Sequence, residues 1–207
     1  MADAINDMKL LVSNAPEDAF WQLQLANLFI QDKRPRQAID IASAVIERDA
    51  KNVTALRLRA DTLLGMGDHG AAIKDYEKAV EFGIEDPIQK SGVLNNLAWV
   101  LATSPKDDVR DGDRAIKFGN QAAELTEFKE AHILSTLGAA YAEKGNFEEA
   151  IKWSTKAVEL GRLEKNEQIE QLEQELKSYG EGKAWREKQE TKENKVPLLG
   201  PEDLIDT

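Results

Sequence analysis

The chain has 207 residues, of which 42% are apolar, so it has enough material for a continuous core and is not disordered throughout. The 38 acidic residues outnumber the 27 Lys and Arg residues and give a formal net charge of -11, which excludes nucleic acid and anionic membrane surfaces as first candidates for partners. The absence of Cys excludes disulfides, thiolate metal sites and cysteine nucleophiles.

Internal repetition is the main organising feature of the sequence. The dipeptide Ala-Ile begins at positions 4, 38, 72, 115 and 150, at spacings of 34, 34, 43 and 35 residues. Apolar residues recur at three- and four-residue steps around each dipeptide, which is typical of amphipathic helices. The pattern predicts repeating pairs of helices.

The predicted elements begin with an isolated helix at residues 1–17, which matches the second helix of a pair. A half unit of this kind leaves an apolar face uncovered, because each unit buries its face only against its neighbours. We therefore expect either that the chain is truncated at its N-terminus or that another chain covers this end. Neither a signal peptide nor an apolar run of the roughly 20 residues needed for a membrane span is recognisable, so we expect a soluble chain.

Four full units follow, each predicted as two helices joined by a short turn. They span residues 18–51, 52–86, 87–128 and 129–162, and the third carries an insertion between Thr103 and Gly112. Small residues recur in the first helix of each unit, where two helices must cross closely. These residues are Ala26, Ala60, Ala98 and Gly138.

The remaining sequence is more polar. Residues 163–180 are predicted to form a helix that caps the repeats, since apolar residues recur at helical steps in a charged segment. Residues 181–207 read as a polar tail that is flexible or loosely docked. Its apolar positions Val196, Leu198, Leu199, Leu204 and Ile205 could alternatively form a short docking peptide.

Residues 2–161 resemble the tetratricopeptide repeat family, in which Leu-Gly and Tyr mark the first helix of a unit, and Ala, an aromatic residue and Ala mark the second. Leu137-Gly138 with Tyr141 matches the first pattern, and Ala72, Tyr76 and Ala79 match the second. The third unit is similar to a longer variant common in bacterial repeat proteins. The resemblance implies an all-α fold, a right-handed α-solenoid of helix-turn-helix repeats with a C-terminal capping helix.

Three groups of residues could carry chemistry, but each has a simpler interpretation. Gly65, Gly67 and Gly70 have the spacing of a dinucleotide-binding loop, yet they follow a helix and not a strand, so an ordinary turn is favoured. His69 and His132 are isolated and are expected at the surface. The acidic loop at residues 107–113 could attract calcium, but solvation and helix capping by Asp113 are favoured. We expect no catalytic residues, no metal site and no cofactor.

The resemblance also implies that the first helices line a concave face that binds a peptide or a partner protein. The expected peptide-binding residues are Leu23, Asn27, Ile30, Arg57, Asp61, Leu64, Asn95, Trp99, His132, Ser135 and Ala139. Trp99 is the preferred anchor, because a large ring buries much area at low entropy cost. An equally weighted alternative is that Trp99 only packs between units.

Some family members hold chaperone C-termini through a clamp of Lys and Asn side chains, and this clamp is mostly absent here, so a co-chaperone role is disfavoured. The leading function is a non-catalytic scaffold or adaptor for a protein or peptide, without nucleic acid or membrane insertion. The alternative is a structural self-assembling module, a homo-oligomer formed through the half repeat or the tail. The sequence predicts neither the partner nor the compartment.

Overall fold

The computed structural model describes residues 1–187, and this part of the chain contains ten α-helices, one short 3₁₀ helix and no β-strand. The helices are α1 Ala2–Asn14, α2 Ala19–Gln31, α3 Pro35–Arg48, α4 Val53–Gly65, α5 His69–Phe82, α6 Pro87–Thr103, α7 Gly112–Leu125, α8 Ala131–Glu143, α9 Phe147–Leu163 and α10 Ile169–Gly180. The 3₁₀ helix Asp107–Val109 lies between α6 and α7.

Consecutive helices pack against one another along the whole series. The pairs α2 with α3, α4 with α5, α6 with α7 and α8 with α9 each form a packed unit, and the second helix of each unit also contacts the first helix of the next. In addition, α6 packs directly on α8. The prediction of an all-α repeat solenoid is therefore confirmed.

Local capping chemistry fixes where most helices begin. A carboxylate or amide side chain before the helix accepts a hydrogen bond from a backbone N–H of the first turn. The residues that do so are Asp18, Asn52, Asp68, Asp86, Asp111 and Asn146. The expectation that Asp113 caps α7 is corrected, because Asp111 accepts from the N–H of Arg114 and the helix already begins at Gly112.

Small residues sit where helices approach most closely. Ala26, Ala60 and Ala98 are fully buried. At Gly138 a Cβ atom would lie 3.2 Å from the carbonyl oxygen of Ala150 and 3.3 Å from the backbone nitrogen of Ser154, so α8 and α9 meet there almost backbone to backbone. Because even one added methyl group would crowd these atoms, the packing of this unit depends on glycine.

The insertion of the third unit folds back onto α6, and its first residues cover the side chain of His69. The N–H of Asp111 donates to the carbonyl of Leu101 at 2.9 Å. His69 Nδ1 lies 2.7 Å from the hydroxyl oxygen of Ser104, which follows α6, and the histidine is completely buried. The prediction of a surface role for His69 is therefore wrong, because the next unit covers the start of α5.

The chain after α9 forms a cap that continues beyond α10. The α10 helix packs on α9 and α8, and Leu172 fits against Gly161. After α10, Ala184 and Trp185 pack against the main core, and the N–H of Glu187 donates to the carbonyl of Thr103 at 2.9 Å. This part of the predicted polar tail is thus docked on the end of α6. The docking peptide considered at residues 196–205 lies outside the described residues.

At the other end, α1 packs on α2 through Ile5, which is 3% exposed. Two leucines on α1 remain open to solvent, Leu10 at 63% and Leu11 at 42% exposure. Phe20, at the start of α2, is 58% exposed. The first helices therefore leave large apolar side chains uncovered.

Candidate functional site

A cavity of about 860 Å³ lies between α6, α8, α10 and the segment that follows α10. A volume of this size falls in the range that binds small ligands or a few residues of a peptide. Two first helices, α6 and α8, form one side of it, and the C-terminal cap forms the other. The cavity therefore lies at the junction between the repeats and their cap.

The α6 wall presents amide and aromatic side chains. Asn95, Asn96 and Trp99 line the cavity, and Asn95 and Trp99 share one helix face because they are four residues apart. Asn95 is only 9% exposed, and its Oδ1 atom is buried without a hydrogen-bond partner. A buried acceptor without a donor costs free energy, so this atom is suited to receive a donor from a ligand.

The floor of the cavity contains a buried carboxyl group. Glu175 on α10 is fully buried, and it accepts hydrogen bonds from the hydroxyl of Ser135 on α8 and from Gln171 Nε2 at 2.8 Å. Burial raises the pKa of Glu175 above its usual range, although both hydrogen bonds act in the opposite direction. The pair formed by Ser135 and Glu175 joins the last repeat to the cap.

The rim is formed by the segment after α10. Trp185 and Glu187 line the cavity, as Trp99 on α6 does. Burial raises the pKa of Glu187, and Glu187 Oε2 is buried without a partner. An ion pair of 2.6 Å between Arg186 and Glu143 on α8 holds this segment in place.

The cavity is acidic. Four glutamates line it, Glu167, Glu170, Glu175 and Glu187, whereas none of its lining residues is Lys or Arg. An anionic ligand would therefore meet repulsion without a compensating positive charge.

The structure brings together four of the eleven residues expected to bind a peptide: Asn95, Trp99, His132 and Ser135 all line the cavity. Ile30 and Asp61 instead border a second, smaller cavity of about 280 Å³. The carboxylate of Asp61 accepts hydrogen bonds from the hydroxyl of Tyr76 and the amide of Asn96.

The other five expected residues do not reach either cavity. Asn27 is exposed and Arg57 and Leu64 are half-buried away from the cavity lining. As a correction, Leu23 and Ala139 are 5% and 2% exposed and belong to the core, so they offer almost no surface to a ligand. We leave these two residues out of the proposed binding surface.

Sequence reasoning missed the cap side of the cavity. Gln171, Gln174 and Glu175 were assigned to a capping helix, and Trp185 and Glu187 to a tail. One available signal was Trp185, since a tryptophan in an otherwise charged segment usually packs against something.

The described residues contain neither a metal-binding cluster nor a membrane-spanning helix. Within residues 1–187, no three His, Cys, Asp or Glu side chains converge on a point that could hold a metal ion. In the same range, no helix combines the length and hydrophobicity that crossing a membrane requires.

Comparisons with known proteins identify repeats of a known kind in the chain. The tetratricopeptide repeat profile matches residues 23–87, and a second profile of the same description matches residues 131–160. The chain therefore contains tetratricopeptide repeats in these two segments. The matched segments cover the first two units and the fourth, and proteins built from such repeats generally serve as interaction modules.

Solved tetratricopeptide repeat structures share this fold. A crystal structure of MamA superposes with a TM-score of 0.63 and 21% identity, over 79% of this chain and 85% of that one. YrrB, whose structure is described as that of a TPR protein with an unusual peptide-binding site, gives a TM-score of 0.63 at 18% identity, over 83% and 91% of the two chains. At these identities the likeness establishes the fold alone.

Curated sequence relatives include a family of DnaJ homologues. The DnaJ homolog subfamily C member 3 of Mus musculus is 30% identical over 110 residues, and the human protein of the same name is 29% identical over the same length. The match covers 51% of this repeat protein but only 22% of each relative. The similarity therefore concerns a repeat segment and not the complete relatives.

Proposed function

We propose that this repeat protein is a non-catalytic adaptor that binds a segment of a partner protein in the cavity between α6, α8 and α10. The observation that carries the proposal is the cavity itself, in which Trp99 and Trp185 stand beside two buried oxygen atoms without partners, Asn95 Oδ1 and Glu187 Oε2. Aromatic surface next to unsatisfied polar groups is typical of a binding site.

Several features support a polypeptide as the ligand. The cavity is lined by the amide side chains of Asn95, Asn96, Gln168, Gln171 and Gln174. Such groups both donate and accept, so they can pair with the N–H and C=O groups of an extended chain. The solved structure of YrrB carries a peptide-binding site according to its description, which is in keeping with this use of the fold.

Photo-crosslinking tests the location directly. A photoreactive benzoylphenylalanine at Gln174, which is exposed and lines the cavity, should capture a partner from a lysate of the source organism. The same residue at Lys78, which is exposed on α5 and does not line the cavity, is the matched control. Equal capture at both positions would contradict binding in the cavity.

A substitution at Trp99 provides a second test of binding in the cavity. Trp99→Ala removes one aromatic wall and should reduce partner recovery at least tenfold, in line with the loss of a tryptophan anchor. Circular dichroism and thermal unfolding of the variant establish that it is folded. Unchanged recovery with a folded variant would mean that Trp99 only packs between the units.

We propose self-assembly as a second candidate function, on the basis of the uncovered apolar side chains of α1 and α2. Leu10, Leu11 and Phe20 are each more than two-fifths exposed. Association of two such faces would remove these side chains from water. This function is compatible with ligand binding at the opposite end of the helix series.

A further inference from the structure

We propose that the cavity selects a positively charged side chain, lysine or arginine, of the bound partner segment. This inference rests on the proposed function and specifies the chemistry of its ligand. Three features of the cavity carry it: its unpaired acceptors, its aromatic walls and its charge.

The unpaired acceptors require donors. Asn95 Oδ1 and Glu187 Oε2 line the same cavity, and both are buried without a hydrogen-bond partner. Asn95 is only 9% exposed, so its side chain has little access to bulk water. An ammonium group carries three donors and no acceptor, and a guanidinium carries five donors and no acceptor, so either is suited to acceptors of this kind.

The aromatic walls suit the rest of such a side chain. Trp99 on α6 and Trp185 after α10 both line the cavity. Indole rings pack against the aliphatic stem of Lys or Arg and attract the charged end through their π-electrons. The walls therefore accept both the apolar and the charged part of one ligand side chain.

The negative charge of the residues that line the cavity favours a cationic ligand over a neutral or an acidic one. Glu187 is ionisable, Glu167 and Glu170 are exposed at the edge, and the lining residues include no cation that would neutralise them. A backbone amide of the ligand could satisfy Asn95 but would leave these charges uncompensated. An acidic side chain would be repelled, so a cationic group is the one that satisfies all three features.

Indole N–H resonances in a ¹H–¹⁵N spectrum of the full chain test the proposal, because the chain has four tryptophans. The probes are N-acetyl-lysine methylamide and N-acetyl-arginine methylamide, titrated to tens of millimolar, with N-acetyl-norleucine methylamide as the uncharged control. Both cationic probes should shift the indole signals of Trp99 and Trp185. Trp153, which donates to Glu149 on α9 and does not line the cavity, serves as an internal reference.

Two single substitutions test whether Glu187 provides the selectivity for a cationic ligand. Glu187→Gln should weaken binding of the lysine probe about tenfold, as expected for the loss of a charged partner. Glu81→Gln, which removes the same charge from an exposed position on α5, should leave the binding unchanged. Equal shifts with the norleucine probe, or equal affinity of the Glu187→Gln variant, would overturn the proposal.

The lysines that follow Glu187 in the sequence, Lys188, Lys192 and Lys195, are the competing occupants. Replacing all three by Gln in the full chain should not move the Trp99 and Trp185 signals of the free protein. A shift in the free protein, together with tighter probe binding, would assign the cavity to the chain's own lysines and overturn a partner as its ligand. If the crosslink at Gln174 persists while the cationic probes fail, the adaptor function stands and only the charge preference is rejected.

Discussion

Glu175 is a carboxyl group that the fold holds away from water, between Ser135 and Gln171. Because burial raises its pKa, its ionised form is disfavoured in the folded state relative to the unfolded chain. The resulting penalty is absent below the unfolded-state pKa near 4.5 and grows as the pH rises above that value. Glu175 therefore makes the protein less stable at neutral pH than a neutral side chain of the same shape would.

We predict that Glu175→Gln raises the free energy of unfolding by roughly 1 kcal/mol at pH 7, since it removes a buried charge and keeps groups that can bond Ser135 and Gln171. Urea unfolding followed by circular dichroism at pH 7 and pH 4 measures the effect. The gain should nearly vanish at pH 4. Glu159→Gln, at an exposed position of α9, is the control and should change stability little at either pH.

His69 has the opposite pH dependence. Burial, with the positive charge of Lys106 as a second cause and the charge of Asp68 opposing both, lowers the pKa of His69 below its usual 6.5. The folded state therefore favours the neutral imidazole, and its contribution to stability is complete above pH 6.5 and is lost as the pH falls below that value.

We predict that the wild-type chain loses more stability between pH 7.5 and pH 5.5 than a His69→Gln variant does, because Gln cannot be protonated in this range. Thermal unfolding at both pH values provides the measurement. His132→Gln replaces an exposed histidine and should retain the wild-type difference between the two pH values. If His132→Gln, and not His69→Gln, reduced the loss of stability between pH 7.5 and pH 5.5, His69 would not be the group responsible for this pH dependence.

The burial of His69 is a feature of the fold that the repeated sequence pattern does not predict. The sequence identifies the small residues at helix crossings, because one recurs in the first helix of each unit, at spacings of 34, 38 and 40 residues, and because only small side chains allow close approach. The environment of His69 depends instead on how the insertion after α6 folds, and that insertion occurs only once. No periodicity therefore predicts it.

Helix packing in the fourth unit depends on the close contact at Gly138. We predict that Gly138→Val lowers the free energy of unfolding by about 3 kcal/mol, because its side chain would press on the backbone of α9 at Ala150 and Ser154. Gly92→Ala is the matched control within a helix, as nothing lies within 4 Å of the position a Cβ atom would take there. It should stabilise the chain by up to about 1 kcal/mol through helix propensity.

Chemical denaturation of both variants under identical conditions checks this pair. A neutral Gly138→Val would show that α8 and α9 separate without cost. A destabilising Gly92→Ala would show that α6 does not persist as a regular helix at that position.

The repeating helices were predictable from sequence, whereas the cap side of the cavity was not. Helical periodicity marks α2 to α9 in every unit, and the apolar steps of residues 169–179 mark α10. The contacts of Trp185 and Glu187 with α6 join residues more than 80 positions apart in the chain. Local propensity contains no information about such a pairing, and the polar composition of the segment indicates only a tail that is flexible or loosely docked.

The distribution of exposed apolar residues concerns the molecule as a whole. We predict that the full chain associates through the region of α1, so that its mass by light scattering rises with concentration. Leu10→Lys should shift this rise to higher concentration, since it places a charge among the exposed apolar side chains. Ile88→Lys, at a residue that is 80% exposed on α6, is the control and should not do so. A mass that stays monomeric at all concentrations would exclude self-assembly.

The backbone hydrogen bond between Glu187 and Thr103 affects the order in which the chain can fold during translation. In a simple helix series each unit can be completed as soon as its successor has emerged, because contacts are restricted to neighbours. Here the end of α6 receives the N–H of Glu187, a partner made only after every repeat has been translated. The end of α6 therefore completes its hydrogen bonding only after residue 187 has been synthesised, more than 80 positions later in the chain.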